Sequence, residues 1–266
     1  MNFFTNLQKL FTMKKIILSL LTAATALSMG AQIKIHDTFG MELFHLWRGL
    51  EVSKGLNFTN ELSFGDKNDH FRIGFWGGVG VTGDYREFDY FASYNIKGFS
   101  IALWDIFNFS PNSYDDPRSY KIFNYDCHST GHFLDLSIGY YFGEKVPLQL
   151  SWATIIAGRD RGINNKGEEV QRYSNYVSAS YKVFENDKFV ITPSIGATFA
   201  FRNTLNDKGE NKATFYGNKA CVNDIRLNAT YKLKIRSYMI PVSAIVMWNP
   251  EANRGYFGAS ATLFSM

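Results

Sequence analysis

The chain has 266 residues, a formal net charge of +4, 17% aromatic residues, 22 glycines and only 6 prolines. A charge this weak, with no clustered basic patch, sets nucleic-acid binding aside, and the length suits one domain or one barrel. Abundant Tyr, Trp, Phe and Gly with scarce Pro fits a membrane barrel, and a mean hydropathy of −0.18 does not oppose it, because every second barrel residue faces a wet lumen.

From Met13 the sequence reads MKKIILSLLTAATALSMGAQ: two lysines, an apolar run to about Leu27, then small residues. These are the three regions of a secretory signal, and the apolar run is too short to span a bilayer as a helix. The expected division is a signal peptide over 1–31, cut after Ala31, and an outer-membrane barrel over 32–266, with Met13 as an alternative start. The leader holds Lys9, Lys14, Lys15 and no acid, so its removal leaves a net charge of +1.

Period-two alternation then predicts strands at 41–48, 55–64, 71–79, 87–96, 99–109, 132–142, 148–157, 172–183, 189–199, 224–234, 239–248 and 255–264. The pattern is clearest at 132–142, where Leu134, Leu136, Ile138, Tyr140 and Phe142 share one face and Asp135, Ser137 and Gly139 the other. At 224–234, Ile225, Leu227, Ala229, Tyr231 and Leu233 oppose Asp224, Arg226, Asn228, Thr230, Lys232 and Lys234. Pro193 and Pro241 remove ladder donors, so each is expected at a strand start or bulge. Asp105 breaks its strand's parity, and a bulge or a lipid-to-water boundary is expected there.

Alternate connections are short: Gly65 to His70, Ile96 to Gly98, Gly143 to Pro147, Phe184 to Lys188, and Ile235 to Tyr238. The others include three long links, from Ser110 to Gly131, Gly158 to Gln171, and Phe201 to Lys219. Short periplasmic turns and longer extracellular loops make this an all-β, transmembrane, antiparallel up-and-down barrel of about twelve strands. The apolar parity puts Phe64, Phe71, Tyr94, Phe99, Tyr140, Tyr181, Phe189 and Tyr231 in a girdle at the short turns. Phe88, Phe107, Tyr173, Phe199, Trp248 and Phe257 form one at the other end.

The opposite parity names the lumen lining: Glu61, Arg72, Glu87, Asp89, Asp135, Arg226, Lys232 and Lys234. At twelve strands the interior exceeds a filled eight-stranded barrel and falls short of an open sixteen-stranded porin, so a narrow passage for small solutes is expected. Cys127 and Cys221, the only cysteines, both fall on the outer side of an oxidising export route, so a disulfide between them is one expectation. The alternative is that the sixth and tenth strands hold them too far apart, since a bridge needs Cα atoms within about 7 Å. With the bridge, the long loop leans over the mouth, and Asp115, Asp116, Arg118 and Lys121 form a constriction.

Three other motifs read as ordinary structure. Gly78-Val79-Gly80-Val81-Thr82-Gly83 has glycine spacing suited to a dinucleotide, but a strand follows where a helix is required. Asp126, Cys127, His128 and His132 crowd one loop, yet a zinc site needs three or four converging ligands; no metal or cofactor is expected. His132, Asp135 and Ser137 contain the residue types of a hydrolase triad, but His132 is on the lipid parity and the other two face inward.

Several stretches resemble the short porin-like barrels of the TorF type. They are Leu46-Trp47-Arg48-Gly49, Phe75-Trp76-Gly77, Glu87-Phe88-Asp89, Phe99-Ser100-Ile101 with Asp105, Gly131-His132-Phe133 with Ile138-Gly139-Tyr140, and Pro147-Leu148 through Leu150-Ser151-Trp152 with Ala157-Gly158. The resemblance runs from about Trp47 to Phe264 and departs in the third long loop, the cysteines and the Leu263-Phe264-Ser265-Met266 ending. It implies an exported barrel in the bacterial outer membrane and brings no established substrate. The expected partners are outer-membrane lipid, the barrel-assembly machinery and small solutes. The expected function is non-enzymatic passive diffusion, with a loop-presenting platform for adhesion and a lipid-directed hydrolase as alternatives.

Overall fold

The computed structural model describes residues 33–266, so the expected leader lies outside the described residues. The wall strands are β1 (Lys34–Trp47), β2 (Leu50–Gly65), β3 (Phe71–Gly80), β4 (Arg86–Ile96), β5 (Phe99–Phe107) and β6 (His132–Tyr141). They continue as β7 (Leu148–Gly158), β8 (Ser174–Tyr181), β9 (Phe189–Ala200), β10 (Cys221–Ile235), β11 (Tyr238–Asn249) and β12 (Arg254–Ser265). Each pairs antiparallel with its sequence neighbours, and β12 returns to β1 through Leu43↔Ala259 to Thr38↔Ser265. The sheet is therefore closed, and no wall strand presents a free edge.

Two strands start at least five residues before their alternation suggests. β1 begins at Lys34 instead of 41, and β2 at Leu50 instead of 55. The start of β1 is masked in the sequence because Asp37 falls on its outward parity. There the Asp37 carboxylate accepts from Asn60 Nδ2 at 2.8 Å, and its backbone exchanges hydrogen bonds with Met266.

The tightest turns have matching chemistry. Arg48-Gly49 (φ 47° and 83°) and Lys97-Gly98 (φ 49° and 84°) each place two left-handed residues between paired strands, the twist-compatible two-residue hairpin. At the short-turn end, the ion pair from Lys34 to Asp69 (2.7 Å) ties the start of β1 to the turn before β3. The Lys34 ammonium, with His36 beside it, holds the Asp69 carboxyl down at about 2.

Parity sorts the wall. Outward positions include Phe58, Phe75, Leu103, Leu150, Ile195, Leu227 and Val246, all large apolar side chains left exposed by the protein itself. Phe64, Tyr94, Phe99, Tyr140, Tyr181, Phe189 and Tyr231 ring the outer face near the short turns. A continuous apolar exterior on a closed barrel is stable against hydrocarbon and costly against water. At the other end the ring is incomplete: Phe107 is covered and stacked on His132 at 4.1 Å, and Tyr173 lies just before β8.

Neither proline sits at a strand start or a bulge. Pro193 is one residue past the last β8–β9 pair, Ser180↔Ser194, and Pro241 one residue past the last β11–β12 pair, Val242↔Ala261. Each strand is a local edge at that point, where a missing N–H is tolerated. Asp105 shows no bulge; it is the final β4–β5 rung, paired with Tyr90, on the outward parity at the long-loop rim.

The parity assignment makes a direct prediction for neighbouring residues of β10. Leu227→Arg should destabilise the membrane-inserted barrel by about 2–4 kcal/mol near the midplane, whereas Asn228→Arg, facing the lumen, should leave stability close to the parent. Urea unfolding in lipid vesicles would reveal equal losses if the register were wrong.

Candidate functional site

The mouth at the long-loop end is narrowed by the first hairpin. The β1–β12 ladder stops at Leu43 and the β2–β3 ladder at Asn57, so residues 44–56 extend beyond the wall ladders. Irregular pairing at Leu43, His45 and Leu46, with Phe44 at φ 62°, bends this segment, as bulges do. Its tip leans over the lumen to β6, four strands round the wall from β2.

There the Arg48 guanidinium grips Asp135 with two parallel bonds of 2.5 and 2.8 Å, and also donates to Tyr216 Oη at 2.7 Å. Asn223 on β10 donates to the Arg48 carbonyl at 2.9 Å, and Asn249 on β11 to the Gly49 carbonyl at 3.0 Å. The tip backbone passes so close to β10 that a Cβ at Gly49 would lie 2.4 Å from the Asn223 oxygen. Trp47 packs its ring 6.0 Å from Phe133 and 5.5 Å from Tyr216, with the Arg48 guanidinium 4.6 Å above it. A bidentate pair beside aromatic faces uses guanidinium geometry that lysine lacks.

Below and beside the tip lies a cavity of about 750 Å³ lined by aromatic and charged groups. Trp47, Trp76, Trp104, Phe133, Phe215, Tyr216 and Tyr256 supply rings; His45, Arg48, Arg159, Glu87, Asp89 and Asp135 are among the polar groups. Toward the short turns, the inward positions become small and hydroxylic. Ser93, Ala102, Ser137 and Ala153 form one row across β4 to β7, and Gly139, Ser151 and Ser178 belong to the next. Ser151 and Ser178 hydrogen-bond at 2.6 Å, and Thr230 and Ser243 at 2.8 Å. The lumen thus combines an aromatic, charged vestibule with a lining of smaller polar groups.

Glycine is required where the aromatic collar crowds the wall. A Cβ at Gly196 would lie 2.1 Å from the Tyr176 hydroxyl oxygen, which donates to Asp224 at 3.0 Å.

The residues picked out by parity separate into groups. Glu87, Asp89 and Asp135 line the vestibule. Arg226 faces inward and pairs with Asp224 at 2.9 Å. Glu61 shares the inward register of β2. Arg72 sits near the short-turn end, 3.7 Å from Asp69, and Lys232 pairs there with Glu185 at 2.8 Å. Lys234 is exposed on the last rungs of β10.

The expected loop constriction is not formed by Asp115, Asp116, Arg118 and Lys121. Asp116 pairs with Arg118 at 2.7 Å, while Asp115 and Lys121 are exposed; none of the four lines the vestibule. The physical reason is an anchor on the outside of the wall. Tyr125 donates to outward-facing Asp105 at 2.6 Å and packs 4.5 Å from His132, whose Nδ1 lies 2.8 Å from the same carboxylate. That anchor also explains the cysteines: Cys127, two residues beyond Tyr125, and Cys221 at the start of β10 are free thiols, not a disulfide.

The other residue clusters are dispersed. His128 pairs with Glu169 and His132 with Asp105, so the loop's histidines serve different partners. His132 faces outward while Asp135 faces inward to Arg48, so those two members of the triad arrangement point to opposite sides of the wall.

The sequence reading missed Arg48, Arg159, Tyr216 and Trp104 as parts of the site. Arg48 stands beside Gly49 in a turn, and Arg159 and Tyr216 lie in connections, where alternation carries no facing information. Trp104 had a legible signal, because it occupies the polar parity of β5 opposite Phe91, on which it stacks at 4.4 Å.

The Arg48–Asp135 pair should respond asymmetrically to mutation. Asp135→Asn strands the guanidinium and should cost about 3–5 kcal/mol, whereas joint Arg48→Met and Asp135→Leu replacement should return stability close to the parent. Urea unfolding measures both, and equal losses in the two proteins would contradict a buried pair.

No family model matches the chain, and no curated protein matches it. Among solved structures, the NanC porin in a rhombohedral crystal form aligns over 85% of this chain and 97% of its own, at 9% identity and a TM-score of 0.48. A triple mutant of the Rhodopseudomonas blastica porin aligns over 88% of this chain and 100% of its own, at 11% identity and a TM-score of 0.30.

Proposed function

We propose that the protein is a bacterial outer-membrane channel for passive diffusion of small solutes, delivered through a cleaved signal peptide and narrowed at its outer end by the β1–β2 hairpin. The observation that carries this reading is the two-part lumen: hydroxyl-bearing small residues lead into a charged aromatic vestibule inside a wall that is apolar outside. A dry core has no use for inward hydroxyls or for acids without an ion-pair partner, and such acids are costly unless water or solute reaches them. The short turns would face the periplasm and the long loops the exterior, as in outer-membrane barrels of this design. The resemblance to TorF-type barrels agrees with this placement. Outer-membrane lipid and the barrel-assembly machinery are the partners that this reading requires.

The adhesion alternative has one specific observation in its favour. The long loop after β5 exposes Ile122 and Phe123 at its outer side, with Phe123 at 79% exposure, a combination suited to contact with another surface.

Planar-bilayer recording separates the two. The channel reading predicts discrete conductance steps that at least double when Arg48→Ser and Asp135→Ser are combined, because the hairpin loses its hold over the mouth. An electrically silent barrel in both proteins would overturn it.

A further inference from the structure

Several charges in this barrel are neutralised where they stand. Arg48 grips Asp135, Arg226 grips Asp224, and Lys182 bridges Glu144 and Glu185 at the short turns. Away from the hairpin and the β11–β12 turn, three charged residues that line the vestibule form no ion pair among the described residues: Arg159, Glu87 and Asp89.

Arg159 is held by rings rather than by an acid. Its guanidinium lies 5.1 Å from the Phe133 centroid and 5.3 Å from those of Tyr114 and Phe215. Nη1 donates to the Tyr114 hydroxyl at 2.9 Å, and Nε is buried without an acceptor among the described residues. The two acids share the inward face of β4. Glu87 Oε2 accepts from Asn108 at 2.8 Å and Asp89 Oδ1 from the Phe107 N–H at 3.0 Å, and among the described residues Oε1 and Oδ2 accept no further hydrogen bond. Asp89 is only 4% exposed, so it holds a negative charge only when a cation meets it.

We infer that the vestibule is a binding site for a zwitterionic solute, specifically a short peptide with free ends, its carboxylate on Arg159 and its ammonium on Glu87 and Asp89. This rests on the channel reading and names the solute class that the channel would admit. A cavity of about 750 Å³ is of the size that encloses a small organic ligand. Trp47, Trp104 and Phe133 offer apolar faces to the side chains between the charged ends. A neutral sugar would leave Arg159 without an acid and the two carboxyls without a cation, and a simple anion would answer Arg159 alone. Only a solute carrying both signs satisfies the whole set.

The test uses the purified barrel in detergent, with tryptophan fluorescence and calorimetry, and four probes: alanyl-leucine, N-acetyl-alanyl-leucine, alanyl-leucinamide and maltose. Saturable binding of alanyl-leucine is expected, with each end-blocked form weaker by about tenfold or more, equivalent to about 1.4 kcal/mol. In Arg159→Gln the amide should bind as well as the free acid, while in Glu87→Gln with Asp89→Asn the N-acetyl form should lose its disadvantage. Equal affinity for free and blocked forms, a preference for maltose, or no binding by the unsubstituted protein would overturn the inference, whatever the variants do. A conducting barrel indifferent to end groups sinks this inference alone. An electrically silent barrel that discriminates the ends sinks only the channel reading.

Discussion

The arrangement of the mouth depends on one ion pair across the lumen. Arg48 at the tip of the first hairpin meets Asp135 on the far wall, while Asn223 and Asn249 hold the backbone of the same tip. Removing two charges from water costs several kcal/mol per ion, so the pair is useful only where geometry is good and the remaining donors are satisfied. Both conditions are met: the fork is bidentate, and Tyr216 takes a further bond. The consequence is positional. An extension that could stand in solvent is instead drawn inward, and its Trp47 becomes part of the vestibule wall.

The remaining architecture supplies what that contact requires. Closure of β12 on β1 fixes the base of the hairpin, and the irregular pairing around Phe44 provides its bend. Small inward residues are frequent toward the short turns, whereas at the mouth Trp76, Trp104, Phe133 and Tyr256 of the wall join the rings that the hairpin and the loop after β9 bring. The long loop after β5 takes a different course because Asp105 faces outward at the rim. A carboxylate there is unfavourable against hydrocarbon, and His132 and Tyr125 cover it.

Much of the wall was legible in the sequence, for a physical reason. A residue's facing in a strand follows from its number alone, so the apolar set on β9 from Phe189 to Phe199 and the polar set on β10 from Asp224 to Lys234 declare inside and outside directly. Asp135 was recognisable as inward by the same rule. Its partner was not, because parity names a face and never a neighbour 87 positions away. The start of β1 escaped because Asp37 violates its parity, and the vestibule escaped because Arg159 and Tyr216 belong to connections. The long-loop charges suggested a constriction by composition, whereas the loop is docked through Tyr125 on a single off-parity acid and through Tyr114 on Arg159.

The most direct test of the central claim is a crystal structure of the barrel grown from a lipid mesophase. The account predicts density for the Arg48-Gly49 tip inside the mouth, with the guanidinium bonded to both Asp135 oxygens and Trp47 against Phe133. A hairpin standing upright from the rim, with Asp135 bonded to water or to another cation, would contradict it.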